Sequence, residues 1–347
     1  MPRRLVATAP HVVEVEEFDA PAVGPGQVRI RTEFASGKHG TARALFDKVN
    51  FQGQVFDQEM RLFRPAEDGV GWGGFGGAMA LGTTGVGVVE EVGADVTNVG
   101  VGDRVVGILK VASENVVDAD HVWLLGDADP LESLCVEAGY VSIHAVREAD
   151  VRFGETVAVF GLGAIGLIAV QMAYRSGAGR VIAVDPLENR RAWALEHGAD
   201  LALDPTSDDA PLGIHEATGG AGADIVIEAS GSYAALESAI KSTRIRGTVS
   251  AAGFYQGEAK QVWFGREFHH NRLQMIVPHG CGWGHEPRDY PRWDEDRAYR
   301  TMIDMLQRGR LNLSGLIDPL VTLDEAPDVW RRIENEPGTV IKYGVKF

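Results

Sequence analysis

The stretch Glu155 to Asp185, ETVAVFGLGAIGLIAVQMAYRSGAGRVIAVD, constrains the fold more than any other part of the chain. A short apolar strand runs into Gly161, Gly163 and Gly166, spaced as GxGxxG. A helix follows, and a second strand ends at Asp185, 22 residues beyond Gly163. The first glycine permits a tight turn, the second lets the backbone approach a pyrophosphate, and the third lets helix and strand pack closely. Leu162, Ala164 and Ile165 complete the loop and the helix start, whose free N–H groups and positive partial charge favour phosphate. Asp185 is placed to accept hydrogen bonds from both hydroxyls of an adenosine ribose and to repel a 2′-phosphate, which favours NAD over NADP. Arg190 and Arg191 lie close enough to weaken that preference, although on a helix such residues are more often solvated or stacked on the adenine.

Two further segments, ADIVIEASGS and GTVSAAGFYQG, each read as a strand followed by small residues. Ligands of open α/β sheets sit beyond the carboxyl ends of the strands, so Ser230, Gly231, Ser232, Gly253 and Phe254 are expected at the nicotinamide end. Strands and helices alternate from about Leu131 to Val277, which implies a doubly wound parallel sheet with helices on both faces. Before that, from Arg4 to about Asp120, short strands and turns dominate, as in QVRIRTEFA and VGDRVVGI. The tail adds an amphipathic helix over DRAYRTMIDMLQRGR, a turn at Leu316 to Pro319, a helix around DEAPDVWRRIEN and a last strand, VIKYGVKF. The expected division is residues 1–126 as a mostly-β domain, 127–282 as the nucleotide-binding domain, and 283–347 as a return to the first.

A chain of 347 residues supports two domains with their own cores. Its net charge of −16 argues against attraction to nucleic acid or an anionic bilayer. Two cysteines, Cys135 and Cys281, make no disulfide framework, the N-terminus carries no signal-peptide core, and no stretch approaches the roughly 18 apolar residues of a membrane span. These features lead to the expectation of a cytoplasmic location.

The segments GPGQVRIRTEFAS, GVVEEVGADVTNVGVGDRVVG, the GxGxxG unit, ENRRAWALEHGAD and DIVIEASGS occur in an order and spacing that resembles the medium-chain dehydrogenase/reductase superfamily, the zinc alcohol and polyol dehydrogenases and their zinc-free relatives. The resemblance covers nearly the whole chain. It implies a discontinuous GroES-like barrel domain around a Rossmann domain, with the active site in the cleft between them, and a homodimer or homotetramer formed through edge strands near LQMIV.

Zinc-binding members carry Cys-Gly-Ser/Thr-Asp and Gly-His-Glu segments. The matching stretches here are Ser36-Gly37-Lys38-His39 and Gly82-Thr83-Thr84, so hydroxyls, Ser36 and Thr83, stand where ligands are expected. Catalytic zinc takes about three thiolate, imidazole or carboxylate donors. No zinc is expected, and no metal site. Lys38 falls at the position of the proton-relay hydroxyl and His39 at that of the Asp, which makes them the candidate acid–base pair. Glu137, in a stretch similar to one of the polyol dehydrogenase branch, is expected to orient or tune them. By the same resemblance His279 approaches nicotinamide or substrate, and Lys342 the cofactor pyrophosphate.

Other features compete. His279, Cys281 and His285 present three donors in a spacing that matches no standard zinc pattern. In GVGWGGFGG, Gly69 to Gly77, six of nine residues are glycine, a composition suited to a mobile loop whose Trp72 and Phe75 close over a ligand. The function expected is zinc-independent hydride transfer between NAD(H) and a secondary alcohol or ketone of a sugar, cyclitol or polyol. A zinc-free quinone or enoyl reductase using NAD(P)H is the first alternative, and a non-catalytic nucleotide-binding protein the second.

Overall fold

The computed structural model describes residues 1–38, 40, 53–67, 78–278 and 290–347. His39, His279, Cys281, His285 and the glycine-rich segment 69–77 lie outside the described residues. The chain divides into two units, Met1–Leu134 with Ile317–Phe347, and Cys135–Leu316.

The first unit is mostly β. Its central strand, Gln27–Ser36, alternates as an amphipathic strand must: Val28, Ile30 and Thr32 are buried, whereas Arg29 and Arg31 turn outward to Glu91 and Glu90 at 2.9 and 3.0 Å. It pairs antiparallel with Thr84–Val92 and Glu114–Asp118, and near its end with Lys342–Lys346, in a sheet that also contains Val122–Leu124, Arg104–Gly107 and Ile317–Thr322. Val28, Ile30, Val89, Val105, Leu109 and Val122 form one core, and Leu5, Ala35, Trp330, Tyr343 and Val345 belong to another. The stretch read as a turn at Leu316 to Pro319 is instead the start of the strand Ile317–Thr322, parallel to Lys342–Lys346. It is the terminal strand of the sheet, where a proline, lacking an N–H, is tolerated.

The second unit is a parallel sheet of six strands in the order Leu201–Leu203, Arg180–Val184, Thr156–Phe160, Ala223–Glu228, Thr243–Ala251 and Gln274–Ile276. Val157, Ala158, Val159 and Phe160 are all buried, as expected of a strand covered on both faces. The order reverses between Thr156–Phe160 and Ala223–Glu228, the switch point at which doubly wound folds bind nucleotides.

This unit runs to Leu316 rather than ending at residue 282, and it begins at Cys135 rather than 127. The physical reason lies in the helix Glu295–Gln307, whose apolar face packs on the helix Val136–Glu148. Tyr299 stacks on Tyr140 with ring centroids 4.6 Å apart, and Gly139 leaves room for Met302. Among the described residues no helix is long and apolar enough to cross a membrane.

Candidate active site and cofactor site

The strand Thr156–Phe160 ends at Gly161, whose φ of +84° turns the chain sharply; a Cβ there would lie 2.6 Å from the Ser230 nitrogen. At Gly163, the cap of the helix Ala164–Arg175, a Cβ would meet nothing within 4 Å, which leaves the helix N-terminus open to a close-lying ligand. At Gly166 a Cβ would lie 1.9 Å from the Gly161 carbonyl oxygen, so only glycine permits this contact between helix and turn. The three glycines therefore meet the three requirements of a pyrophosphate loop, and Leu162, Ala164 and Ile165 lie within it.

Asp185 is buried at the end of the strand Arg180–Val184 and is already engaged. Its Oδ2 accepts from the Leu162 N–H at 2.7 Å and its Oδ1 from the Leu187 N–H at 2.9 Å. A carboxylate has about four acceptor sites, so capacity for ribose hydroxyls remains. The two arginines take different places. Arg191 is held by the Asp185 carbonyl at 2.7 Å and by Asp204 at 3.2 Å, whereas the Arg190 guanidinium lies 3.9 Å from the Asp185 carboxylate. Burial lowers the Arg190 pKa from its ordinary value, and the Asp185 charge opposes the shift. The Arg190 guanidinium thus shares its field with that carboxylate.

Glu228, missed in the sequence, organises the other end of this site. It is fully buried at the close of the strand Ala223–Glu228 and accepts from the Ser230 N–H at 2.7 Å, the Gly231 N–H at 3.2 Å, and the hydroxyls of Ser230 and Tyr255. Its backbone carbonyl takes the N–H groups of Ala252 and Gly253 at 2.8 and 2.9 Å. One residue thus ties together the loops after two adjacent strands, those carrying Ser230, Gly231, Gly253 and Phe254. Desolvation raises its pKa above the usual carboxylate range despite these hydrogen bonds, and burial with the nearby Glu228 charge pushes the Tyr255 phenol up. The signal that finds it is an acid directly after the apolar run Ile225–Ile227, since a buried carboxylate needs partners.

In the β unit, long-range pairing gathers the second set of residues. Ser36 and Thr84 are register partners, and the Thr83 N–H donates to the Ser36 carbonyl at 3.0 Å. A Cβ on Gly37 would lie 3.4 Å from the Gly82 Cα. Buried Lys342 donates from Nζ to the Gly37 carbonyl at 3.3 Å, and Lys110 donates to the Gly82 carbonyl at 3.4 Å. Lys38, half-buried, follows Gly37 directly. Ser36, Lys38, Thr83 and Lys342 therefore share one neighbourhood. Glu137 belongs to the other unit, buried in the first turn of the helix Val136–Glu148.

Residues 164–295 match the family model described as Zinc-binding dehydrogenase. D-guloside 3-dehydrogenase of Escherichia coli K12 is 37% identical over 356 residues, covering 99% of this chain and 100% of that one. The chain belongs to the zinc-binding dehydrogenase family. It is an oxidoreductase of the medium-chain alcohol and polyol dehydrogenase-like superfamily. Sorbitol dehydrogenase 2 of Saccharomyces cerevisiae is 32% identical over 302 residues, covering 76% of this chain and 80% of its own. The crystal structure of 2R,3R-butanediol dehydrogenase from Bacillus subtilis shares the Rossmann and GroES-like fold, with a TM-score of 0.77, 21% identity and full coverage of both chains.

For a zinc-binding dehydrogenase, the residues at the ligand positions fit zinc poorly. Ser36 and Thr83 offer neutral hydroxyls, and the Ser36 hydrogen is spent on the Tyr343 carbonyl at 2.6 Å. Two ammonium groups, those of Lys110 and Lys342, rest on the carbonyls of the touching glycines, which puts positive charge beside the place of a dication. Among the described residues no group of three His, Cys, Asp or Glu side chains is arranged to hold a metal.

Proposed function

We propose that this zinc-binding-dehydrogenase relative moves hydride between NAD(H) and a secondary alcohol or ketone of a sugar, cyclitol or polyol, with side chains in place of zinc. The observation that carries the reading is the pairing of a complete dinucleotide loop, closed by buried Asp185, with ligand positions taken by hydroxyls and flanked by lysines. The substrate class draws on the relatives, a guloside and a sorbitol dehydrogenase.

NAD supplies the hydride acceptor. Asp185 holds the adenosine ribose, the turn at Gly161 to Gly166 seats the pyrophosphate, and the Glu228-tied loops at Ser230, Gly231, Gly253 and Phe254 orient the nicotinamide. Lys38 Nζ donates to or accepts from the reacting oxygen, and His39 passes the proton on. His279 touches substrate or nicotinamide in this reading. The working form in this reading is a cytoplasmic homodimer or homotetramer.

The test is a panel of neutral polyols, cyclitols, aldonates and glycosides assayed with NAD, run beside quinones and enones assayed with NADPH. NADH production on at least one polyhydroxylated substrate is expected. Turnover restricted to the C=C or quinone substrates with NADPH would replace this reading with the reductase alternative, and NADH binding without any turnover would favour the non-catalytic one.

A further inference from the structure

Lys110 was not singled out by the sequence, yet its backbone is placed with care. The buried side chain of Asn115 clamps it from both sides: Oδ1 accepts from the Lys110 N–H at 2.9 Å and Nδ2 donates to the Lys110 carbonyl at 3.2 Å. Asn115 is anchored in turn on the Thr32 hydroxyl at 3.0 Å. The chain at Gly82 comes against this clamped segment so closely that a Cβ there would lie 2.3 Å from the Val111 nitrogen and 2.7 Å from the Lys110 Cα. Gly82 also has a φ of +118°, so the approach and the conformation both require glycine. The result is an ammonium held beside the Gly82-Thr83-Thr84 turn.

That ammonium is poorly compensated. Among the described residues its one hydrogen bond to protein, to the Gly82 carbonyl, is 3.4 Å long, at the outer edge of useful distances. The residue is exposed, yet desolvation lowers its pKa from the ordinary value, and among the described residues no carboxylate opposes the shift. In a chain of net charge −16 carboxylates are abundant, yet among the described residues none is placed on this lysine. A partly desolvated cation without a counter-charge gains most from an anionic ligand, because a charge-assisted hydrogen bond there is stronger than one to a neutral hydroxyl.

We propose that Lys110 is a specificity-determining residue that binds a carboxylate of the substrate, so that the preferred substrates are sugar acids rather than neutral polyols. The inference rests on the proposed active site lying at the Gly37 and Gly82 segments. D-gluconate and D-glucitol share a carbon skeleton and differ at one end, carboxylate against hydroxymethyl, and so isolate the charge. Calorimetric titration of the full chain with each, in the presence of NADH, tests the proposal. Gluconate is expected to bind about 10- to 100-fold more tightly than glucitol. Lys110→Met is expected to remove the difference, and Lys110→Arg, which keeps the charge, to retain most of it. Gluconate binding that is undetected or no tighter than glucitol, or a preference that survives in Lys110→Met, overturns the proposal. The readout is binding rather than turnover. A gluconate preference with no polyol oxidation in the panel would therefore defeat the proposed reaction and leave this inference standing, whereas oxidation of neutral polyols with no gluconate preference would do the reverse.

Discussion

Replacing Lys38 by Met is expected to lower kcat by about 10²- to 10⁴-fold and to leave the dissociation constant of NADH within about twofold, the range that removal of a positioned acid–base group produces. The side chain is half-buried, one residue beyond the glycine whose carbonyl carries the Lys342 ammonium. Met preserves most of the aliphatic stem and deletes only the charged, proton-carrying end. The nucleotide loop, built from Gly161, Gly163, Gly166 and Asp185, lies in the other unit. Steady-state kinetics with a fluorescence titration of NADH separates the two effects. Unchanged turnover would remove Lys38 from the mechanism, and a parallel loss of NADH binding would make it a cofactor contact instead.

The second large effect belongs to Asp185. Asp185→Asn keeps one acceptor oxygen for the backbone and removes the negative charge, so NAD is expected to bind about 10- to 100-fold more weakly, with discrimination against NADP falling by a similar factor. Asp185→Ala does more damage. The N–H groups of Leu162 and Leu187 both donate to this carboxylate, and leaving a buried donor without its acceptor costs about 1–3 kcal/mol. The alanine variant should therefore melt lower than the asparagine variant while showing the same loss of cofactor discrimination. Titrations with both cofactors, together with thermal melts, check this. An NAD to NADP ratio unchanged in either variant would contradict the ribose contact.

The nucleotide site was legible because its requirements are local. Turn, approach and packing fall on three glycines within six residues, and the acid assigned to the ribose sits at a spacing that the strand–helix–strand unit imposes. What stayed hidden depends on distant partners. Asp185 was read as a ribose contact, and its support of the Leu162 and Leu187 N–H groups emerges only when the loop is folded beside it. Glu228 was passed over at the end of the run Ile225–Ile227, although an acid at a strand end is a readable signal. Lys110 meets Gly82 across 28 residues and Lys342 meets Gly37 across 305, and no local pattern encodes either contact. The boundary after the nucleotide unit was misplaced for a related reason. Amphipathicity identifies the helix Glu295–Gln307, but which neighbour receives its apolar face is decided by packing, here Tyr299 on Tyr140. The proline at 319 marked a turn on local grounds, and its place at a sheet edge was decided by tertiary pairing.

In the proposed mechanism side chains have taken over the work of zinc in a member of a zinc-binding family. Elemental analysis of zinc per chain, on active protein purified without chelator or added metal, tests it most directly. The account predicts zinc far below one equivalent in protein that turns over at full rate. About one zinc per chain, the stoichiometry of a catalytic site, with activity that follows its removal and return, would contradict it.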